Sequence, residues 1–164
     1  MRTRIREDIV YKFSELSDEA KEKAMGNLYN INVDYEWYDS TYEDAERIGL
    51  KITEFNIYRG SYAKGELLDS AVNVADSIIK DHGPDCETVQ TAKAYLLEFE
   101  KIIAETTEDE EPETDDIDSE FLKSLLEDYR IILQKEYEYL TSEEAVMETI
   151  QANEYEFTAD GKLI

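Results

Sequence analysis

This 164-residue chain has one cysteine, one histidine, one tryptophan, two prolines and six glycines. The lone thiol, Cys86, excludes an internal disulfide and fits a reducing compartment. One His and one Cys do not supply the three or four N/S ligands of a zinc centre without carboxylate help, so no metal is expected. No apolar run approaches the ~20 residues that span a bilayer. Met1–Arg6 is basic but leads into no apolar secretory segment. The expectation is a cytoplasmic protein without membrane association.

Bases are scarce too. Seventeen Lys and Arg face 41 Asp and Glu, a net charge of −24 and a pI near 4.2. Binding a phosphate backbone needs clustered cations that displace counterions, so direct nucleic-acid binding is not expected. A field of this sign favours basic partners, among them proteins whose normal ligand is DNA or RNA. It also serves solubility alone, a reading the totals leave open.

The chain nevertheless has the means to fold. It is 41% hydrophobic, with 12 Tyr and 5 Phe, too apolar for a wholly disordered acidic tail. Its length suits one domain, 1–164. Ile5–Phe13 has the β-branched and aromatic content of a strand, with Ile9, Tyr11 and Phe13 on one face. Ser17 caps a helix whose inner face is Ala20, Ala24, Leu28 and Ile31. A second helix is expected from Asp34, with Trp37, Thr41, Ala45 and Ile48 in one stripe and Gly49 just past its end.

The period then changes. Leu50–Tyr58 alternates like a strand with an irregularity near its middle, Arg59-Gly60-Ser61 turns, and Tyr62–Leu67 returns with a break at Gly65. Helices over about 69–82 and 86–104, joined at Gly83-Pro84, form an αα-hairpin. Their inner faces read Leu68, Val72, Ala75, Ile79 and Val89, Ala92, Leu96, Phe99, Ile103. A long helix follows over 119–140, facing inward with Leu122, Leu125, Tyr129, Ile132 and Glu136/Tyr139. Thr141 and Glu144 form a capping box for a further helix. A short strand over 154–158 turns at Asp160-Gly161 into Lys162–Ile164. The fold class is α+β: several helices packed on a small, mostly antiparallel sheet built from both ends of the chain.

The acidity is uneven. Residues 1–104 hold 13 bases and 21 acids, whereas 105–164 hold 4 bases and 20 acids. Nine acids and no base fall between Glu105 and Asp118, a run expected to form a flexible loop. Its candidate partner-binding residues are Glu108, Asp109, Glu110, Glu111, Glu113, Asp115, Asp116 and Asp118. A second cluster interleaves acids with aromatic rings and adds Glu36, Trp37, Asp39, Glu43 and Asp44. It reads either as an amphipathic helix with rings in the core or as a contact surface, since Trp and Tyr are frequent interface anchors.

No set of residues in the chain forms a recognisable catalytic constellation. His82 and Cys86 lie four apart, but Gly83-Pro84 breaks the helix between them. A helix-end His beside a buried Cys is the expectation, not a nucleophile pair. The acidic run lacks the central Gly and alternating ligands of an EF-hand. No phosphate-binding glycine loop or G-x-S-x-G elbow occurs. No catalytic residue, cofactor or metal ligand is assigned, and no enzymatic activity is expected.

The stretches YKFSELSDEAKEKA (11–24), DYEWYDSTYEDAERIGLKITEFNIYRGSYAKGEL (34–67), HGPDCET (82–88) and YEYLTSEEAVMETIQANEYEFTADGKLI (137–164) resemble a family of small acidic bacteriophage and mobile-element proteins. Some of its members carry the description "antitoxin of a toxin–antitoxin stability system". The resemblance covers most of the chain except the acidic run. It implies an inhibitor that binds and blocks a nucleic-acid-handling host defence protein, of the anti-CRISPR or anti-restriction type, with nucleic-acid mimicry as one route. The alternative is an antitoxin neutralising a basic toxin; a third is an uncharacterised enzyme built from scattered acids.

Overall fold

Three serines set helix starts: the hydroxyls of Ser17, Ser70 and Ser142 each accept a hydrogen bond from the backbone N–H three residues on. A computed structural model describes all of Met1–Ile164 and contains six α-helices and two antiparallel two-stranded sheets. In chain order these are β1 (Tyr11–Lys12), a 3-10 turn (Phe13–Glu15), α1 (Asp18–Asn27), α2 (Asp39–Arg47), β2 (Leu50–Asn56), β3 (Tyr62–Leu67), α3 (Ala71–Asp81), α4 (Glu87–Glu105), α5 (Asp115–Leu140), α6 (Glu143–Ala152) and β4 (Glu156–Phe157). The class is α+β, and no helix is long and apolar enough to cross a membrane. The chain divides into two compact units, one of Met1–Trp37 with Glu136–Ile164 and the other of Tyr38–Lys135.

The first unit joins the two ends of the chain. β1 pairs with β4, Tyr11 opposite Phe157 and Lys12 opposite Glu156. Phe13, Leu16, Ala20, Ala24, Val146, Ile150 and Phe157 form its core, with Phe13 and Phe157 edge to face. Buried Asn32 donates to Leu140 O at 2.9 Å and accepts from Thr149 Oγ1 at 2.7 Å, so its amide costs little. The expected strand over 5–13 shrinks to two residues. Ile5 and Ile9 are exposed, and the chain at Phe13 curls into a 3-10 turn that buries the ring. The cap of α6 is Ser142 in place of Thr141, whose hydroxyl instead donates back to Tyr137 O. The terminal hairpin is a single Phe157–Leu163 bridge, closed by Thr158 N–H on Lys162 O and by Gly161 at φ 85°.

The second unit packs α2, α3, α4 and α5 with the β2–β3 hairpin around Ala45, Ile48, Leu50, Ile52, Val74, Ile78, Val89, Ala92, Leu125 and Tyr129. The hairpin register shifts between Ile52 and Glu54, where the sequence shows an irregularity. Gly65 lies within β3, opposite Ile52, and does not break it. A Cβ there would sit 2.3 Å from the Lys51 carbonyl oxygen, so only glycine fits. The single expected sheet is therefore two separate ladders, β1–β4 and β2–β3.

The helical faces keep Ala75, Val89, Ala92, Leu125 and Tyr129 buried as the periodicity predicts, and shift by about one residue elsewhere. α3 buries Ala71, Val74, Ala75 and Ile78, whereas Leu68 and Ile79 are exposed. Leu68 precedes the Ser70 cap, and its N–H continues the hairpin onto Gly49 O. α4 buries Val89, Ala92 and Tyr95, leaving Ile103 exposed. α5 buries Phe121, Leu125, Tyr129 and Leu133, leaving Ile132 and Tyr139 exposed.

Candidate functional site

The acidic run is less of a loop than its composition implies. α4 extends to Glu105 and α5 begins at Asp115, so only residues 106–114 are non-helical. Asp115, Asp116 and Asp118 occupy the first turn of α5, where the exposed amide dipoles favour negative charge. A turn closed by Glu110 N–H on Thr107 O folds the middle of the segment. The depression beside it, about 790 Å³, is lined by Glu105, Glu110, Glu111, Glu113 and Asp115.

Glu108, Asp109, Glu110, Glu111, Glu113, Asp115 and Asp116 are exposed. No Lys, Arg or His lies within ion-pair distance of any of them. Asp118 is the exception. It is half-buried and accepts from Tyr95 Oη at 2.6 Å and Thr114 Oγ1 at 3.0 Å, pinning α5 to α4. Burial first, and then the Asp118 carboxylate, raises the Tyr95 phenol above its ordinary value.

The aromatic cluster resolves differently from one amphipathic helix. The helix begins five residues later than expected, at Asp39, so Trp37 precedes it, half-buried with its ring 5.7 Å from that of Tyr137. Within the second unit Tyr38 packs on Tyr42 and Phe55, with centroids 5.0 and 5.2 Å away. Glu36, Asp39 and Glu43 are exposed, whereas Asp44 is half-buried and turned inward.

Asp44 belongs to a polar knot where α2, α3, α4 and α5 converge. Its Oδ2 accepts from Tyr129 Oη at 2.9 Å and lies 3.3 Å from His82 Nε2. Its Oδ1 pairs with Arg47 Nη2 at 2.6 Å, while Arg47 Nε reaches Asp81 Oδ2 at 3.3 Å. His82 Nδ1 lies 2.6 Å from Oγ1 of Thr88, whose residue is only 2% exposed. Burial, followed by the neighbouring Asp44 charge, raises the Tyr129 phenol above its ordinary value. Cys86, expected to be buried, is exposed at the N-cap of α4, while His82 turns towards Thr88 and Asp44.

The neighbours of His82 are Thr88 and Asp44, and Cys86 is not among them. Adjacent Asp81 and His82 at a helix end and the Asp44–Arg47 spacing of three are visible in the chain. Nothing local ties them to Tyr129, which lies 85 residues from Asp44. Comparison with family models, curated proteins and solved structures yields no match.

Proposed function

We propose that the protein acts by binding, occupying the nucleic-acid-handling surface of a basic partner with its acidic segment. The observation that carries this reading is the set of seven exposed, unpaired carboxylates between Glu108 and Asp116. Four of them, Glu108–Glu111, are consecutive, and chain geometry separates neighbours by at most ~3.6 Å per residue. One strand of duplex DNA presents a phosphate every ~3.4 Å, a comparable linear charge density. Uncompensated carboxylates repel one another, and a basic groove relieves that repulsion as it binds. The resemblance to phage and mobile-element proteins suggests counter-defence, with the partner a restriction nuclease or CRISPR effector.

The test uses purified restriction endonucleases and CRISPR effectors, with DNA cleavage measured against added protein and competing DNA. A parallel variant replaces Glu108, Asp109, Glu110, Glu111 and Glu113 with the matching amides. Inhibition of one nuclease that DNA relieves, salt weakens and the variant loses supports the proposal. Equal inhibition by the variant moves the contact to Trp37, Glu36, Asp39 and Glu43. Growth rescue from a co-expressed basic toxin, without any nuclease inhibition, replaces the proposal with the antitoxin reading.

A further inference from the structure

The polar knot holds a feature that ordinary ion pairing does not explain. The His82 side chain is 9% exposed, and its Nε2 is buried 3.3 Å from Asp44 Oδ2. That nitrogen nevertheless makes no hydrogen bond. The separation suits one, but the alignment does not. Leaving a buried nitrogen without a hydrogen bond is costly, and a cation between it and the facing carboxylate oxygen would satisfy both.

The distances fit such a cation. Two ligands about 2.1 Å from one ion, at the tetrahedral angle, stand roughly 3.4 Å apart. One oxygen from each of Asp44 and Asp81, together with a His82 ring nitrogen, all fall within 4.8 Å of one another. Binding through Nε2 requires the imidazole proton on Nδ1, and Thr88 Oγ1 is placed at 2.6 Å to accept it. Tyr129 Oη donates to the Asp44 oxygen nearest His82, and Arg47 braces both carboxylates from the solvent side. Ligands held by outer hydrogen bonds are the usual construction of a metal centre.

Charge and donor type narrow the ion. Two carboxylates against one guanidinium leave the group with one negative charge in excess before a divalent ion enters. An imidazole nitrogen favours borderline transition metals over Mg2+ or Ca2+, which take oxygen donors. Asp81, with its side chain 38% exposed, lies on the solvent side and leaves room for water to complete the coordination. We propose that Asp44, Asp81 and His82 bind one divalent transition-metal ion, with Thr88, Tyr129 and Arg47 as positioning residues. The ion would tie α2 to the end of α3, independently of any partner.

Because His82 is the only histidine, its ring nitrogens give one unambiguous pair of 15N resonances. The full chain is titrated with Zn2+, and in parallel with Mg2+ at matched concentration. One equivalent of Zn2+ is expected to shift the Nε2 resonance while Nδ1 stays protonated, and Mg2+ is expected to leave both unchanged. Asp81→Asn, on an exposed helix end, should keep the fold and weaken the zinc-induced shift by about tenfold or more in concentration. Zinc uptake without movement of the imidazole resonances overturns the proposal, since it then reports diffuse binding to surface acids. An equal response to Mg2+, or an unchanged response in Asp81→Asn, overturns it as well.

Discussion

The hydroxyl of Tyr129, on a ring fully buried in α5, donates to Asp44 Oδ2 on α2 at 2.9 Å. Removing it leaves a half-buried carboxylate oxygen short of a donor while the aromatic packing survives. Tyr129→Phe is therefore expected to destabilise the fold by about 1–2 kcal/mol. Leu125→Ala, which empties fully buried volume one turn away, should cost about 2–5 kcal/mol. Urea unfolding of the two variants beside the parent measures both, and the order of the two losses is the result to check.

Gly161 is required for two separate reasons. Its φ is 85°, and an added Cβ would lie 2.2 Å from the carbonyl oxygen of Ala20, a backbone atom. Gly60 shares the positive φ, at 72°, but faces open space. Gly161→Ala should cost roughly 2 kcal/mol or more, from left-handed strain plus displacement of α1. Gly60→Ala should cost only about 1 kcal/mol. Near-equal melting temperatures for the two variants would contradict the close approach at Ala20.

Asp128 gives a pH dependence of defined sign. Burial, aided by repulsion from Glu87 and Glu127, raises its carboxyl above the ordinary range, despite a hydrogen bond from Thr91 Oγ1 at 2.6 Å. A raised folded-state value means its contribution to stability is fully present below the unfolded value, ~3.9. That contribution is lost as pH rises through the folded value. Asp128→Asn stays neutral and keeps an oxygen for Thr91. It should melt a few degrees above the parent at pH 7, with the gap closing below about pH 4. A gap that widens on acidification would reverse the sign.

Self-repulsion in the acidic segment should be visible without a partner. The exposed carboxylates from Glu108 to Asp116 have no cation beside them, so added salt should raise the melting temperature. Amide replacement of Glu108, Asp109, Glu110, Glu111 and Glu113 should raise it at low salt and add little near 1 M, where the screening length falls to ~3 Å. Identical salt curves for parent and variant would mean that this charge does not strain the fold.

Elements set by local chemistry were legible in the chain. Ser17 as a cap, Gly49 at positive φ past the end of α2, and Tyr62–Leu67 as a strand all follow from neighbouring residues alone. Boundaries and faces set by distant packing were less so. Trp37 leaves the helix that its spacing suggests because its ring packs on Tyr137, 100 residues later in the chain. Leu68 leaves the core because strand alternation gives the inward position to Leu67, which packs on the core, and turns Leu68 outward. Among the site candidates, exposure of the acidic run follows from composition, whereas the inward turn of Asp44 depends on Tyr129 and His82. Periodicity within α2 carries no trace of either partner.

The lone tryptophan and the lone histidine give the two compact units separate spectroscopic addresses. Trp37 falls in the unit of the chain ends and His82 in the unit of residues 38–135. Indole fluorescence and imidazole resonances from one sample therefore follow the unfolding of each unit without any added label. Coincident transitions would mark the chain as a single cooperative folding unit, and separated ones would mark two.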